Sequence, residues 1–272
     1  MIVCITGASS GIGEATALRM AREPNATLVL VARREDRLRA LAERCGNGAT
    51  YVATDLTDED APARVRAHLE EHHGGRLDVL VNNAGASWRS RFGDPEKGGW
   101  ENVRRTMEIN FDAQVRLTEA LLPLLRASAP SSIVNIASTA GRVARAGTAA
   151  YSASKFALIG WSDALHAEER EHGVHVGLVL PGFISTEGFP QRELTSSPLT
   201  RWTVSTPDVG AEAIVDCALR GKAERYVPRP YWLAAAARVL LPGLVRRVLA
   251  GKQAARMTTT TGADAADAAR SG

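Results

Sequence analysis

Short apolar runs alternate with longer amphipathic stretches along most of this chain. The run Ile2-Val3-Cys4-Ile5 is rich in β-branched residues and predicts a strand. A helical pattern begins at Glu14, with small or apolar residues at Ala15, Leu18 and Ala21. Further strands are predicted at Thr27–Ala32, Thr50–Ala53, Leu77–Val81 and Ser132–Ile136. Long helices are predicted from about Trp100 to Arg126 and from about Tyr151 to His172. This alternation continues to about Leu180 and predicts an α/β fold with a doubly wound sheet.

The pattern changes after that point. Residues 183–206 are polar, rich in Ser, Thr and Pro, and weakly periodic, which predicts a mobile substrate lid. Phe183, Phe189, Leu194, Leu199 and Trp202 are its candidate apolar contacts, and Trp88, Arg89 and Arg91 a candidate opposite wall. One helical pattern runs from about Trp232 to Leu241 and is broken by Pro242-Gly243. Beyond it, Leu244, Val245, Val248 and Leu249 form an apolar face opposite Arg246 and Arg247. Such a basic amphipathic helix can close the core, cap a pocket, meet a second subunit or lie on a membrane. The whole reads as one domain over 1–257, with a core over 1–180, C-terminal helices over 231–257 and a disordered tail over 258–272.

The turn after the first strand reads Thr6-Gly7-Ala8-Ser9-Ser10-Gly11-Ile12-Gly13. Strand, glycine-rich turn and helix in that order suit a dinucleotide's pyrophosphate. Gly7 permits the tight turn, Gly11 close backbone approach, and Gly13 packing of helix on strand. The second strand ends at Ala32-Arg33-Arg34, where an NAD site places a carboxylate. Two guanidinium groups there favour a 2′-phosphate, and so NADP(H) over NAD(H). Asp55, at the end of the third strand, suits either the adenine amino group or the cap of a helix starting near Asp58. Asn82-Asn83-Ala84-Gly85 suits close approach of backbone to a cofactor, or an ordinary turn.

Tyr151 and Lys155 stand four residues apart, one helical turn on the same face. An ammonium beside a phenol lowers the phenol's pKa and prepares a general acid/base. Ser138 follows an apolar strand, at the sheet's C-terminal edge.

Charge and cysteines add limits. The chain has 272 residues, and its 33 Lys and Arg nearly balance its 30 Asp and Glu, which gives nucleic acid no basic face. Cys4, Cys45 and Cys217 are scattered without metal-ligand spacing, so no metal is predicted. Adjacent His72 and His73 read as solvated or helix-capping groups. The chain enters its first strand at once and has no apolar run of spanning length, which predicts a cytoplasmic protein.

Thr6-Gly7-x3-Gly11-x-Gly13, Asp55, Asn82-Asn83-Ala84-Gly85, Asn110, Ser138, Tyr151-x3-Lys155 and Pro181-Gly182 form an ordered set. From Ile2 to Val227 it resembles the classical short-chain dehydrogenase/reductase family. The resemblance implies a Rossmann-like, doubly wound sandwich around a seven-stranded parallel sheet, with a C-terminal helical extension. It implies catalysis by Asn110, Ser138, Tyr151 and Lys155. Tyr151 would exchange the proton, Ser138 polarise the substrate oxygen, and Lys155 lower the tyrosine pKa and hold the nicotinamide ribose. Asn110 would hold a water that relays protons. It implies cofactor contacts from Gly7, Ser9, Ser10, Gly11, Ile12, Gly13, Arg33, Arg34, Asp55, Leu56, Asn83, Ala84, Gly85, Tyr151, Lys155, Pro181, Gly182 and Ile184. Thr186 would meet the carboxamide, with Ser185 as its neighbouring alternative. The two long helices imply a homodimer or homotetramer.

The ending Glu224–Trp232 departs from the bacterial ketoacyl-reductase pattern and is closer to the hydroxysteroid-dehydrogenase-like subset. The expected activity is NADPH-dependent reduction of a small-molecule ketone or aldehyde, or the reverse. Two further readings are a nucleotide-sensing protein of the same fold without turnover and a membrane-associated scaffold.

Overall fold

The structure, a computed structural model, describes residues 1–185 and 203–250. Strand β1 (Ile2–Thr6) leads through the glycine turn into helix α1 (Gly11–Met20). Then follow β2 (Thr27–Ala32), α2 (Glu35–Cys45), β3 (Thr50–Ala53), α3 (Ala61–His73) and β4 (Val79–Asn82). Helix α4 (Gly99–Met107) passes through a π-turn, Glu108–Asp112, into α5 (Ala113–Ala127). After these come β5 (Ser131–Ile136), α6 (Ala149–Glu169), β6 (Val174–Pro181), β7 (Phe183–Ile184) and β8 (Val204–Ser205). The order ends with α7 (Pro207–Arg220), β9 (Glu224–Val227), α8 (Tyr231–Leu240) and α9 (Pro242–Leu249).

Seven strands form one parallel sheet in the order β3-β2-β1-β4-β5-β6-β9, as the resemblance implies. Strand β1 pairs with β2 on one side and β4 on the other, so the chain reverses its winding there. The crevice at that reversal, outside the strands' C-terminal ends, is where this architecture binds ligands. Period-two side chains feed two cores. Val3 and Ile5 join Met20, Leu38 and Ile214 on the face covered by α1, α2 and α7. Cys4 joins Val65, Leu69, Leu117, Leu121 and Leu165 on the opposite face. Burial on both faces is why the strands read as unbroken apolar runs.

Several boundaries differ from the pattern. Helix α1 starts at Gly11, not Glu14, because glycines carry no periodic signal. Strand β4 starts at Val79, and Asp78 just before it accepts the Ile2 amide through Oδ2 at 2.6 Å. The helix expected over 100–126 is three segments joined end to end. Asp55 does not cap α3, which starts at Ala61. It accepts from the Thr57 amide at 3.0 Å and hydroxyl at 2.8 Å, closing its own turn. His73 lies in the last turn of α3, with its Nε2 2.9 Å from the Thr50 hydroxyl.

Of the alternatives for the C-terminal helices, core closure does not describe α9: Leu244 is 54% and Val248 63% exposed. No helix among the described residues is long and apolar enough to cross a membrane. Thr186, Phe189, Leu194, Leu199 and Trp202 lie outside the described residues, as does most of the expected lid and the tail from residue 251.

Candidate active site

The glycine turn is built by contact rather than by mere flexibility. Gly7 has φ +64°, and a Cβ on Gly13 would lie 2.2 Å from the Gly7 carbonyl oxygen. Helix α1 therefore sits directly on the turn. The Asn83 side-chain amide donates to Thr6 O at 2.9 Å and Gly7 O at 3.3 Å, and the Thr6 hydroxyl accepts from the Asn83 and Ala84 amides. The ends of β1 and β4 are thus tied together beneath the crevice. Gly13→Ala is expected to destabilise the chain by about 1–3 kcal/mol, because the clash is with backbone. At about 2–4 °C per kcal/mol, a thermal melt should show a drop of several degrees.

Arg34 reaches over the same turn. Its Nη2 donates to the Ser9 and Ser10 hydroxyls, each at 3.0 Å. Arg33 lies beside it with a 70% exposed side chain, 3.7 Å from Asp55. Leu56 is buried in the core face behind Asp55.

A cavity of about 330 Å³ opens from this crevice. Its wall runs from Ile12, Asn83 and Gly85 past Asn110 to Ser138, Tyr151 and Lys155, and on to Pro181, Gly182 and Ile184. Residues from both ends of the expected set thus face one space. Ser138 follows β5 and stands at the start of a 3-10 turn, where its Oγ accepts the Ala140 amide at 3.1 Å and donates to Pro181 O at 3.2 Å. Lys155 is buried, and its Nζ donates to Ile136 O at 2.7 Å. Burial pulls its pKa down to about 7.

Tyr151 differs from the sequence expectation. Burial raises its pKa, and the opposing pull comes from a hydrogen bond with Ser138, then from the charges of Arg89 and Arg145. Lys155 Nζ is 5.9 Å from the phenol ring centre and is held by the Ile136 carbonyl. The tuning cations on the phenol are thus arginines. Their signal lies in the segments after Gly85 and between Ser138 and Tyr151, which carry no motif of their own.

Asn110 occupies the π-turn, and both ends of its side-chain amide are engaged. Oδ1 accepts the Ala86 amide and Nδ2 donates to Ala86 O, each at 2.8 Å, with a further bond to Ser154 Oγ at 3.1 Å. It clamps the loop after β4 to α6. Of the proposed opposite wall, Arg89 lines the cavity, whereas Trp88 packs under Arg105 at 4.8 Å and Arg91 is exposed.

Tyr231, Ala234 and Ala235 of α8 close the mouth of the cavity. The Tyr231 ring lies against Gly182, where a Cβ would come within 2.2 Å, and its hydroxyl donates to Thr203 O at 3.0 Å. Helix α8 thus forms part of the cavity wall.

Comparison with known proteins defines the class. Residues 1–196 match the family model described as short chain dehydrogenase. An uncharacterized oxidoreductase of Staphylococcus saprophyticus is 36% identical over 190 residues, covering 68% of this chain and 75% of that one. The 11-beta-hydroxysteroid dehydrogenase-like 2 of Arabidopsis thaliana is 34% identical over 242 residues, covering 85% of this chain and 74% of that one. A solved short-chain dehydrogenase from Burkholderia cenocepacia in complex with NADP shares the fold at TM-score 0.76 and 24% identity, over 92% of this chain and 97% of that one. The chain belongs to the short-chain dehydrogenase/reductase family. It is an oxidoreductase acting on CH–OH or C=O groups of small molecules with a nicotinamide dinucleotide.

Proposed function

We propose that the protein is an NADPH-dependent carbonyl reductase, able to run in reverse as an alcohol dehydrogenase. The observation that carries this reading is a cavity that runs from Ile12, in the first turn of α1, to Ser138, Tyr151 and Lys155. Bound cofactor supplies the hydride to the carbonyl carbon, or accepts it in reverse. The glycine turn and the N-terminus of α1 would hold its pyrophosphate. Pro181, Gly182 and Ile184 would border the nicotinamide.

The chain's own residues manage the proton and the orientation. The phenol of Tyr151, kept protonated by burial, donates to the carbonyl oxygen. The Ser138 hydroxyl turns its proton from Pro181 O toward that oxygen and draws charge onto it. Lys155 orients the cofactor ribose from its seat on Ile136 O. Asn110 is a positioning residue that fixes the Ala86 loop against α6. The long helices α5 and α6, with Phe156 exposed on α6, would supply the contact of a homodimer or homotetramer.

Arg33 and Arg34, with the Ser9 and Ser10 hydroxyls, would hold the 2′-phosphate of NADPH. Loss of NADPH absorbance over a panel of ketones and aldehydes tests the whole reading. Turnover should favour NADPH over NADH. Arg33→Ala should raise KM for NADPH roughly 10- to 100-fold, the worth of a charge-assisted contact, and leave that for NADH nearly unchanged. A wild-type preference for NADH would overturn the arginine assignment.

A further inference from the structure

The substrate end of the cavity holds cations and, among the described residues, no carboxylate. Arg89, Arg142, Arg145 and Lys155 line it. Arg142 is paired with Glu224 at 2.9 Å, and Lys155 with the Ile136 carbonyl at 2.7 Å. Arg145 is different. Among the described residues its guanidinium makes no hydrogen bond and no ion pair, and it sits over the Phe183 ring at 4.9 Å. Its backbone is fixed: the Thr148 hydroxyl donates to Arg145 O at 2.8 Å and accepts from its amide at 3.4 Å. The Phe183 ring keeps the guanidinium at the cavity wall.

Its surroundings make this arrangement costly in the absence of an anion. Burial disfavours its charge, offset only in part by the Tyr231 and Tyr151 phenols. Arg89, on the opposite loop, is disfavoured by its own burial and next by the charge of Arg145. A guanidinium does not shed its proton under these conditions. The partly buried Arg145 guanidinium therefore gains most from an anion placed beside it. The forked donors of arginine match a carboxylate's two oxygens.

We propose that Arg145 is an anion subsite for the substrate, and that the enzyme takes oxo acids, carbonyl compounds bearing a carboxylate. This rests on the reductase reading for the chemistry at Tyr151, though not for the binding of the carboxylate. The carbonyl oxygen lies at Ser138 and Tyr151 while the carboxylate reaches toward α8. The acid would share the cavity of about 330 Å³ with the nicotinamide end of the cofactor, which suits only a small acid.

The experiment uses the full chain and a series of 2-oxo to 5-oxo acids, each beside its own methyl ester. Turnover with NADPH is read for each pair, and binding of the same pairs is read by calorimetry at saturating NADP+. At the best spacing the acid should exceed its ester at least tenfold in kcat/KM and in affinity. Arg145→Met should bring that ratio close to one, mainly through KM, while Arg145→Lys keeps part of it. Because each ratio is taken within one protein, a general loss of activity does not mimic the effect. Circular dichroism and NADPH binding check that each variant folds. Should Arg145→Met not fold, the Lys variant decides, since loss of the fork must lower the ratio. Esters matching acids in both readouts, or an undiminished ratio in the variants, would overturn the proposal. Acids that bind in preference to esters but never turn over would uphold the subsite and sink the reductase reading instead.

Discussion

Tyr151→Phe is expected to keep the fold and NADPH binding and to lower kcat by roughly 100- to 10,000-fold, the usual share of a positioned general acid. The substitution removes one oxygen from a half-buried ring and leaves the ring's packing in place. Its consequence is confined to proton delivery, so the loss should fall on kcat more than on KM. The pH profile gives a second readout. Burial raises the phenol's pKa, so the acid form persists through neutrality. Reduction by the wild type should then hold through neutral pH and fall as the phenol ionises at higher pH. Alcohol oxidation, which needs the phenolate, should rise over the same range. The residual rate of the Phe variant should lack this crossing. A variant retaining wild-type kcat at neutral pH would remove Tyr151 from the chemistry.

Much of the fold was legible because its signals are local and repeated. Apolar runs such as Thr27–Ala32 are strands because both faces of the sheet are covered, and the sequence shows that burial directly. The glycine turn was legible because steric demand permits few residues at Gly7 and Gly13. Less legible were contacts between segments far apart in the chain. The Asn82 amide donates to Asn135 and Thr118, each at 2.9 Å, a buried polar bridge that no spacing announces. The π-turn at Asn110 keeps the helical period almost intact, so the pattern showed one helix. Arg145 was missed for a related reason. It lies in a loop without periodicity, and its importance arises only when Phe183 and α8 fold over it. Composition showed the arginines, but only the folded cavity shows that Arg142 has an acid and Arg145 has none among the described residues.

Lys155→Met is expected to abolish most turnover and, at the same time, to stabilise the free protein. Burial lowers the lysine pKa from the usual 10.5 to about 7, which measures how strongly the folded state disfavours the ammonium. At about 1.4 kcal/mol per unit this is a cost on the order of 5 kcal/mol. The sign follows from proton binding. Between about pH 7 and 10.5 the unfolded chain holds a proton that the folded one has released, so wild-type stability rises with pH across that window. Below about 7 both states are charged and the full cost is present. Methionine fills a similar volume without charge, and loses only the bond to Ile136 O, worth about 1 kcal/mol. The gain should therefore be greatest near pH 6, a rise in Tm of about 10 °C, and should fade toward pH 10. A lower Tm at pH 6 would show that the ammonium is stabilised in the fold by more than one carbonyl. A higher Tm with lost turnover would mark Lys155 as a group held at a cost to stability for what it does to the bound cofactor and substrate.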